Sequence, residues 1–150
     1  MTHTQHRPWT TTLREHQRLR QQISKLKTFL SFGAESEDDV EWAMELVRRL
    51  ADLGDSLGSH FDHEEHSSLF RTVPFEVPRF AHRIDAFRSE HRAMMRDLGA
   101  IQTRLADSPS RRLSSIAQDA SAFLGRVERH EEGENEILQE VYQVDVAAAD

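Results

Sequence analysis

The sequence predicts an all-α fold, an up-down-up-down four-helix bundle, and three observations carry that expectation. Four segments repeat apolar residues at helical spacing, and short links bearing proline, glycine or acidic residues separate them. Each apolar seam is interrupted by a histidine, and in two of them a glutamate follows one turn later. With 150 residues and 37% hydrophobic content, residues 1–150 suit a single domain. Its core should span about 10–145 between frayed ends.

The first helix should start after Thr12, where Thr12-Leu13-Arg14-Glu15 has the form of a capping box, and end near Gly33. Leu19, Ile23, Leu26 and Leu30 form its seam, and one turn back along it lies His16. Acidic residues from Glu35 to Asp39 mark the start of the second helix, with Ser36 as the cap. That helix should run to about Phe70, short of Pro74 and Pro78, with Leu46, Leu50, Leu53, Leu57, His60 and Glu64 on one face. Gly54 and Gly58 within it mark either a close helix contact or a bend.

A third helix follows Pro78 with the seam Phe80, Ile84, Phe87, His91, Met94, Leu98, Ile101 and Leu105. Asp107-Ser108-Pro109-Ser110 is a tight link, Ser108 capping and Pro109 opening the fourth helix. There Leu113, Ile116, Ala120, Phe123, Val127, His130, Glu134, Ile137 and Val141 make the seam. Counted from the links, His91 and His130 differ in height by roughly 9 Å and His16 and His60 by roughly 12 Å. Side chains leaning toward their own N-termini close part of each gap between antiparallel helices.

Composition removes several function classes. The chain has no cysteine, so disulfides, iron–sulfur clusters and thiolate zinc sites are excluded, and histidine and carboxylate remain as strong metal ligands. A net charge of -7 argues against sequence-independent nucleic-acid binding. Residues 1–8 lack the apolar core of a secretory signal and no run is long enough for a membrane span, so the expected location is the cytoplasm.

The His and Glu types define the chemistry. Imidazole with carboxylate suits iron, manganese, zinc or copper, whereas calcium and magnesium prefer oxygen shells. His16, His60, His91 and His130, with Glu64 and Glu134 bridging, supply about eight bonds to two metals that accept roughly twelve. An oxo or hydroxo bridge takes about two more, leaving about two positions for water, dioxygen or peroxide. Four core histidines and two core carboxylates without a metal would each need another buried partner.

Other polar residues have plainer readings. Glu65 is the alternative ligand to Glu64, which the seam favours. His63, His66 and His82 fall off the seams and should face solvent, while His3 and His6 sit in the tail. Asp62, Glu131 and Glu132 should be solvated, or should orient imidazoles by hydrogen bonds. Phe87 and Met94 are packing residues or line a small-ligand pocket.

Taken in order, His16, His60-Phe61-x-x-Glu64, His91 and His130-x-x-x-Glu134 resemble the hemerythrin-like, or HHE cation-binding, domain, over about residues 10–145. The resemblance implies a centre of two non-heme iron ions binding dioxygen, peroxide or nitric oxide, in sensing, storage or stress responses. Hemerythrin proper has HxxxH on its third helix, where Phe87 stands four residues before His91, and it ends in HxxxxD, where this chain has Asn135. One imidazole fewer shifts the expectation from reversible oxygen carriage toward oxidation, ligand exchange or sensing. A peroxidase or oxidase using the same iron is the alternative, ranked lower because no general acid or base stands out in the sequence.

Overall fold

The computed structural model describes residues 9–107 and 112–143. Four long helices dominate it: α1 (Thr10–Phe32), α2 (Val40–Glu65), α5 (Ala81–Ala106) and α6 (Leu113–Tyr142). Two short helices, α3 (Ser68–Arg71) and α4 (Val73–Glu76), and a 3-10 turn at Pro78–Phe80 fill the connection between α2 and α5. No strand occurs among the described residues.

Several boundaries differ from the sequence expectation. Helix α1 opens at Thr10, two residues before Thr12, which is buried inside the helix. The capping box fails because the Glu15 carboxylate accepts hydrogen bonds from His60 and His63 instead of a backbone N–H. At α2 the cap is Asp39, whose carboxylate accepts the Trp42 N–H at 3.1 Å, while the Ser36 hydroxyl binds Asp38. Helix α2 stops at Glu65, short of Phe70: Ser67 turns extended and both its N–H and its hydroxyl donate to the Glu64 carbonyl. The third long helix begins at Ala81, after the 3-10 turn, and the fourth at Leu113. The expected cap at Ser108 and opening at Pro109 lie outside the described residues, as do His3, His6 and the expected frayed ends.

These boundaries repair the heights. With α2 starting at Val40, the offset between His16 and His60 shrinks to roughly 6 Å. With α6 starting at Leu113, that between His91 and His130 shrinks to roughly 3 Å. Helix α2 runs unbroken through Gly54 and Gly58, and a Cβ at either would meet only ordinary contacts, 3.4 Å from Leu98 and 3.9 Å from Met95. Close approach is therefore not what those glycines provide.

Each long helix packs against two others, α1 on α2 and α6, α5 on α2 and α6. The pairings run in opposite sequence order along every contact. Arg104 meets Asp119, Arg126 meets Asp97, His130 meets Glu90, and Arg83 meets Glu136 between α5 and α6. Lys27 meets Glu128, His16 meets Asn135 and Trp9 stacks on Tyr142 between α1 and α6.

The seams build two apolar clusters. Leu19, Ile23, Leu26 and Leu30 meet Leu46, Leu50, Leu53 and Leu57 with Leu98, Leu105, Ile116 and Phe123 in the larger one. Each such leucine contributes about 1.5–3 kcal/mol through burial. Leu69, Phe70 and Val73 from the short helices cover Leu13, Ile84, Phe87, Ile137 and Leu138 in the smaller one. Six polar side chains of the seams are buried along with these clusters: His16, His60, Glu64, His91, His130 and Glu134.

Candidate metal centre

All six seam residues singled out by sequence meet in one place. His16 comes from α1, His60 and Glu64 from α2, His91 from α5, and His130 and Glu134 from α6. Each is at most 3% exposed. Their donor atoms fall into two overlapping sets: His16, His60, Glu64 and Glu134 in one, and Glu64, His91, His130 and Glu134 in the other. Within each set the atoms lie no more than 4.8 Å apart, and both carboxylates belong to both sets.

The four imidazoles share one orientation. Their Nε2 atoms turn inward: that of His91 lies 3.0 Å from that of His130 and 2.9 Å from Glu64 Oε1. His16 Nε2 lies 3.1 Å from Glu64 Oε2 and 3.4 Å from Glu134 Oε1. His60 Nε2 approaches Glu64 Oε2 at 2.8 Å, and His130 Nε2 approaches Glu134 Oε1 at 3.2 Å. The Nδ1 atoms turn outward, each donating to an oxygen of a neighbouring helix. His16 donates to Asn135 Oδ1 at 2.7 Å, His60 to Glu15 Oε2 at 2.5 Å, His91 to Glu65 Oε2 at 3.0 Å and His130 to Glu90 Oε1 at 3.2 Å. Such bonds fix the tautomer and aim the Nε2 lone pair at the centre.

The donor set fits a cation. His60 Nε2, Glu64 Oε1 and both Glu134 oxygens are buried without a hydrogen-bond partner, although other polar atoms crowd them. Lone pairs facing lone pairs at such distances satisfy one another only when positive charge stands between them. Protons supply it in the metal-free state. Burial disfavours charge on His60, His91 and His130, but carboxylates outweigh it. Glu15 and Glu64 raise His60 to about 9, and Glu134 and Glu64 raise His91 to about 9 and His130 to about 10. His16 is likewise held well above the usual histidine value by Glu134 and Glu64 against its burial. Burial pushes Glu64 up, yet the Glu134, His130, His16 and His60 groups packed around it hold it well below the usual carboxylate range.

Phenylalanines wall the imidazoles. Phe61 stacks on His91 with ring centroids 4.0 Å apart, Phe70 stacks nearby at 5.4 Å, and Phe87 meets His130 edge-on at 5.3 Å. Phe87 thus packs against a neighbouring imidazole. Gly133 gives its ring room, since a Cβ there would stand 3.2 Å from Phe87 Cε1.

The comparison with known proteins agrees with this arrangement. The hemerythrin HHE cation binding domain matches residues 7–142. The chain belongs to that family. Neither the curated proteins nor the solved structures returned a match. Membership in the hemerythrin HHE family means a cation-binding domain, and the buried His/Glu cluster is a place that could hold metal.

Other sequence expectations fare differently in this hemerythrin-like chain. Glu65 lies beside the cluster as the acceptor for His91, not within either donor set. His63, His66 and His82 are exposed, as are Asp62 and Glu132. Glu131, expected to be solvated or to orient an imidazole, is buried with its Oε1 unpartnered. Burial raises its pKa to about 7; His16 and His60 lower it, while Glu134 and Glu64 raise it. Glu15 and Glu90 were not legible as parts of the site, because each sits off its seam and reaches an imidazole of another helix; Asn135, which stands where hemerythrin has the aspartate of HxxxxD, accepts from His16 of α1. For the two glutamates the one available signal was position, each directly preceding a seam histidine in sequence.

Proposed function

We propose that this hemerythrin-like chain is one up-down-up-down four-helix domain holding two non-heme iron ions. In this reading His16, His60, His91 and His130 would each hold one ion, Glu64 and Glu134 would be shared between the two, and an oxo or hydroxo group would complete the centre. The domain binds dioxygen, peroxide or nitric oxide in sensing, storage or a stress response in the cytoplasm. The carrying observation is that the two donor sets share both carboxylates while each has its own pair of imidazoles. The opposite sequence order of every helix pairing supports the topology. Among the described residues no helix is long and apolar enough to cross a membrane.

Bound iron supplies redox chemistry and positions open to small ligands. The chain's own part is to hold that centre and control what reaches it. Glu64 and Glu134 offset the positive charge, and the outward Nδ1 bonds keep each imidazole from rotating away. Phe61, Phe70 and Phe87 reduce the water around His91 and His130.

Elemental analysis with near-ultraviolet absorption tests the reading. About two irons per chain with oxo-bridged ferric bands are expected, and both should vanish in the His60→Ala/Glu134→Ala double variant. An absence of bound iron in the unsubstituted protein after anaerobic reconstitution would overturn it. Steady-state peroxide turnover by the iron-loaded protein would favour an enzyme, and a stable stoichiometric adduct would favour a sensor or store.

A further inference from the structure

The six candidate ligands are buried, so a cation needs a way in, and three of the described cavities touch the cluster, two between α1 and α2 and one between α2 and α5. A cavity of ≈ 330 Å³ is lined by Thr11 and Thr12, by Glu15, His60, His63, Glu64 and His66, and by Ser67 and Ser68. Among the described cavities it alone reaches a carboxylate shared by both donor sets, Glu64. Its walls are hydroxyls, carboxylates and imidazoles. A cavity of ≈ 210 Å³ touches His60 alone of the six, beside Arg18 and Leu19, and one of ≈ 490 Å³ touches His91 alone, between Phe61 and Met95, the carboxylates of Asp62 and Glu65, and Arg92 and Arg96. There two guanidiniums oppose a dipositive ion and offset the two carboxylates, of which Glu65 is already engaged by His91 and Arg88.

The rim of the polar cavity is built to receive a cation. His63 Nδ1 donates to Glu15 Oε1 at 2.9 Å and His66 Nδ1 donates to the Asp62 carbonyl at 2.7 Å. With Nδ1 so engaged, Nε2 is the nitrogen each ring has to offer a cation, and both side chains are more than half exposed. Glu15 spans the path, since its other oxygen accepts from His60. Surface imidazole, intermediate carboxylate and buried ligand therefore form a continuous run of donors. We propose that this cavity is the route by which the divalent cation reaches the centre, with His63 and His66 as its first, transient ligands. The inference rests on the metal-binding reading above.

Cobalt(II) alone, added to the metal-free protein in a stopped-flow instrument, gives uptake as the growth of its visible absorption bands. The His63→Ala/His66→Ala variant should take up cobalt on the order of tenfold more slowly. Its final stoichiometry and spectrum should equal those of the unsubstituted protein, because neither side chain belongs to the donor sets. An Arg92→Ala/Arg96→Ala variant should load at the original rate. Unchanged uptake by the histidine variant would overturn the route, as would an altered final spectrum at unchanged rate, which would make His63 a support for Glu15 only. Failure of the unsubstituted protein to bind cobalt at equilibrium would instead remove the metal reading itself.

Discussion

At the scale of single residues, the outward bonds of the four imidazoles carry as much of the site as the inward lone pairs. Loss of such a partner typically lowers metal affinity about 10–100-fold. Glu65→Ala should therefore weaken metal retention by about that factor in a competitive chelator titration while leaving the helix content unchanged; undiminished affinity would show that packing by Phe61 and Phe70 suffices to hold His91. Protonation supplies a second check at this scale. Because neighbouring carboxylates raise His60 and His91 to about 9 and His130 to about 10, metal displaces protons from this cluster when it binds near neutrality. Loading at pH 7 should release protons measurable with an indicator dye, and release should diminish above about pH 10. The sign for stability follows from the same shifts. A raised histidine pKa stabilises the metal-free fold fully below the unfolded value of about 6.5, and that contribution fades as pH rises through 9 to 10. Chelator-treated protein should thus melt at a lower temperature at pH 9.5 than at pH 6.5.

Among the helices, glycine and capping positions give the clearest expectations. Gly58 lies inside α2, where an added Cβ would stand 3.9 Å from Met95 Cε, and one at Gly99 in α5 would meet nothing within 4 Å. Alanine at either site should raise stability by about 0.5–1 kcal/mol, measured by urea unfolding, since it removes backbone entropy from the unfolded chain without a clash. Asp39 holds the first turn of α2, and Asp39→Ala should cost about 1 kcal/mol. The elements also show where sequence reading stopped. Apolar periodicity placed all four seams, because burial selects side chains at every turn. Helix ends depended on which partner a polar side chain chose. Glu15 favoured two histidines of α2 over the backbone of its own helix, and Ser67 turned its hydroxyl onto Glu64 and ended α2 early. The choice at Glu15 rests on contact between distant segments, and that at Ser67 on a bond three residues back along the chain.

For the molecule as a whole, the buried cluster couples folding to metal. Without a cation, two carboxylates and four imidazoles rely on protons and imperfectly aligned contacts. Metal binding to the folded state alone adds about 4 kcal/mol when free metal exceeds its dissociation constant about a thousandfold. Removing it with chelator should lower Tm by calorimetry, and restoring it should recover the original transition; equal transitions with and without metal would separate the cluster from stability. The seams, the order of His16, His60, Glu64, His91, His130 and Glu134, and the absence of cysteine were determined by sequence alone, because helical period and ligand chemistry are local properties. Tertiary structure decided the rest. It set the heights of the four helices so that six donors share one level, gave each imidazole an anchor on another helix, buried Glu131, and placed on one side of α2 a cavity that reaches Glu64 and on the other one that reaches His91 beside two guanidiniums. These depend on where helices begin and how their faces meet, which is settled only when distant residues compete for the same partner.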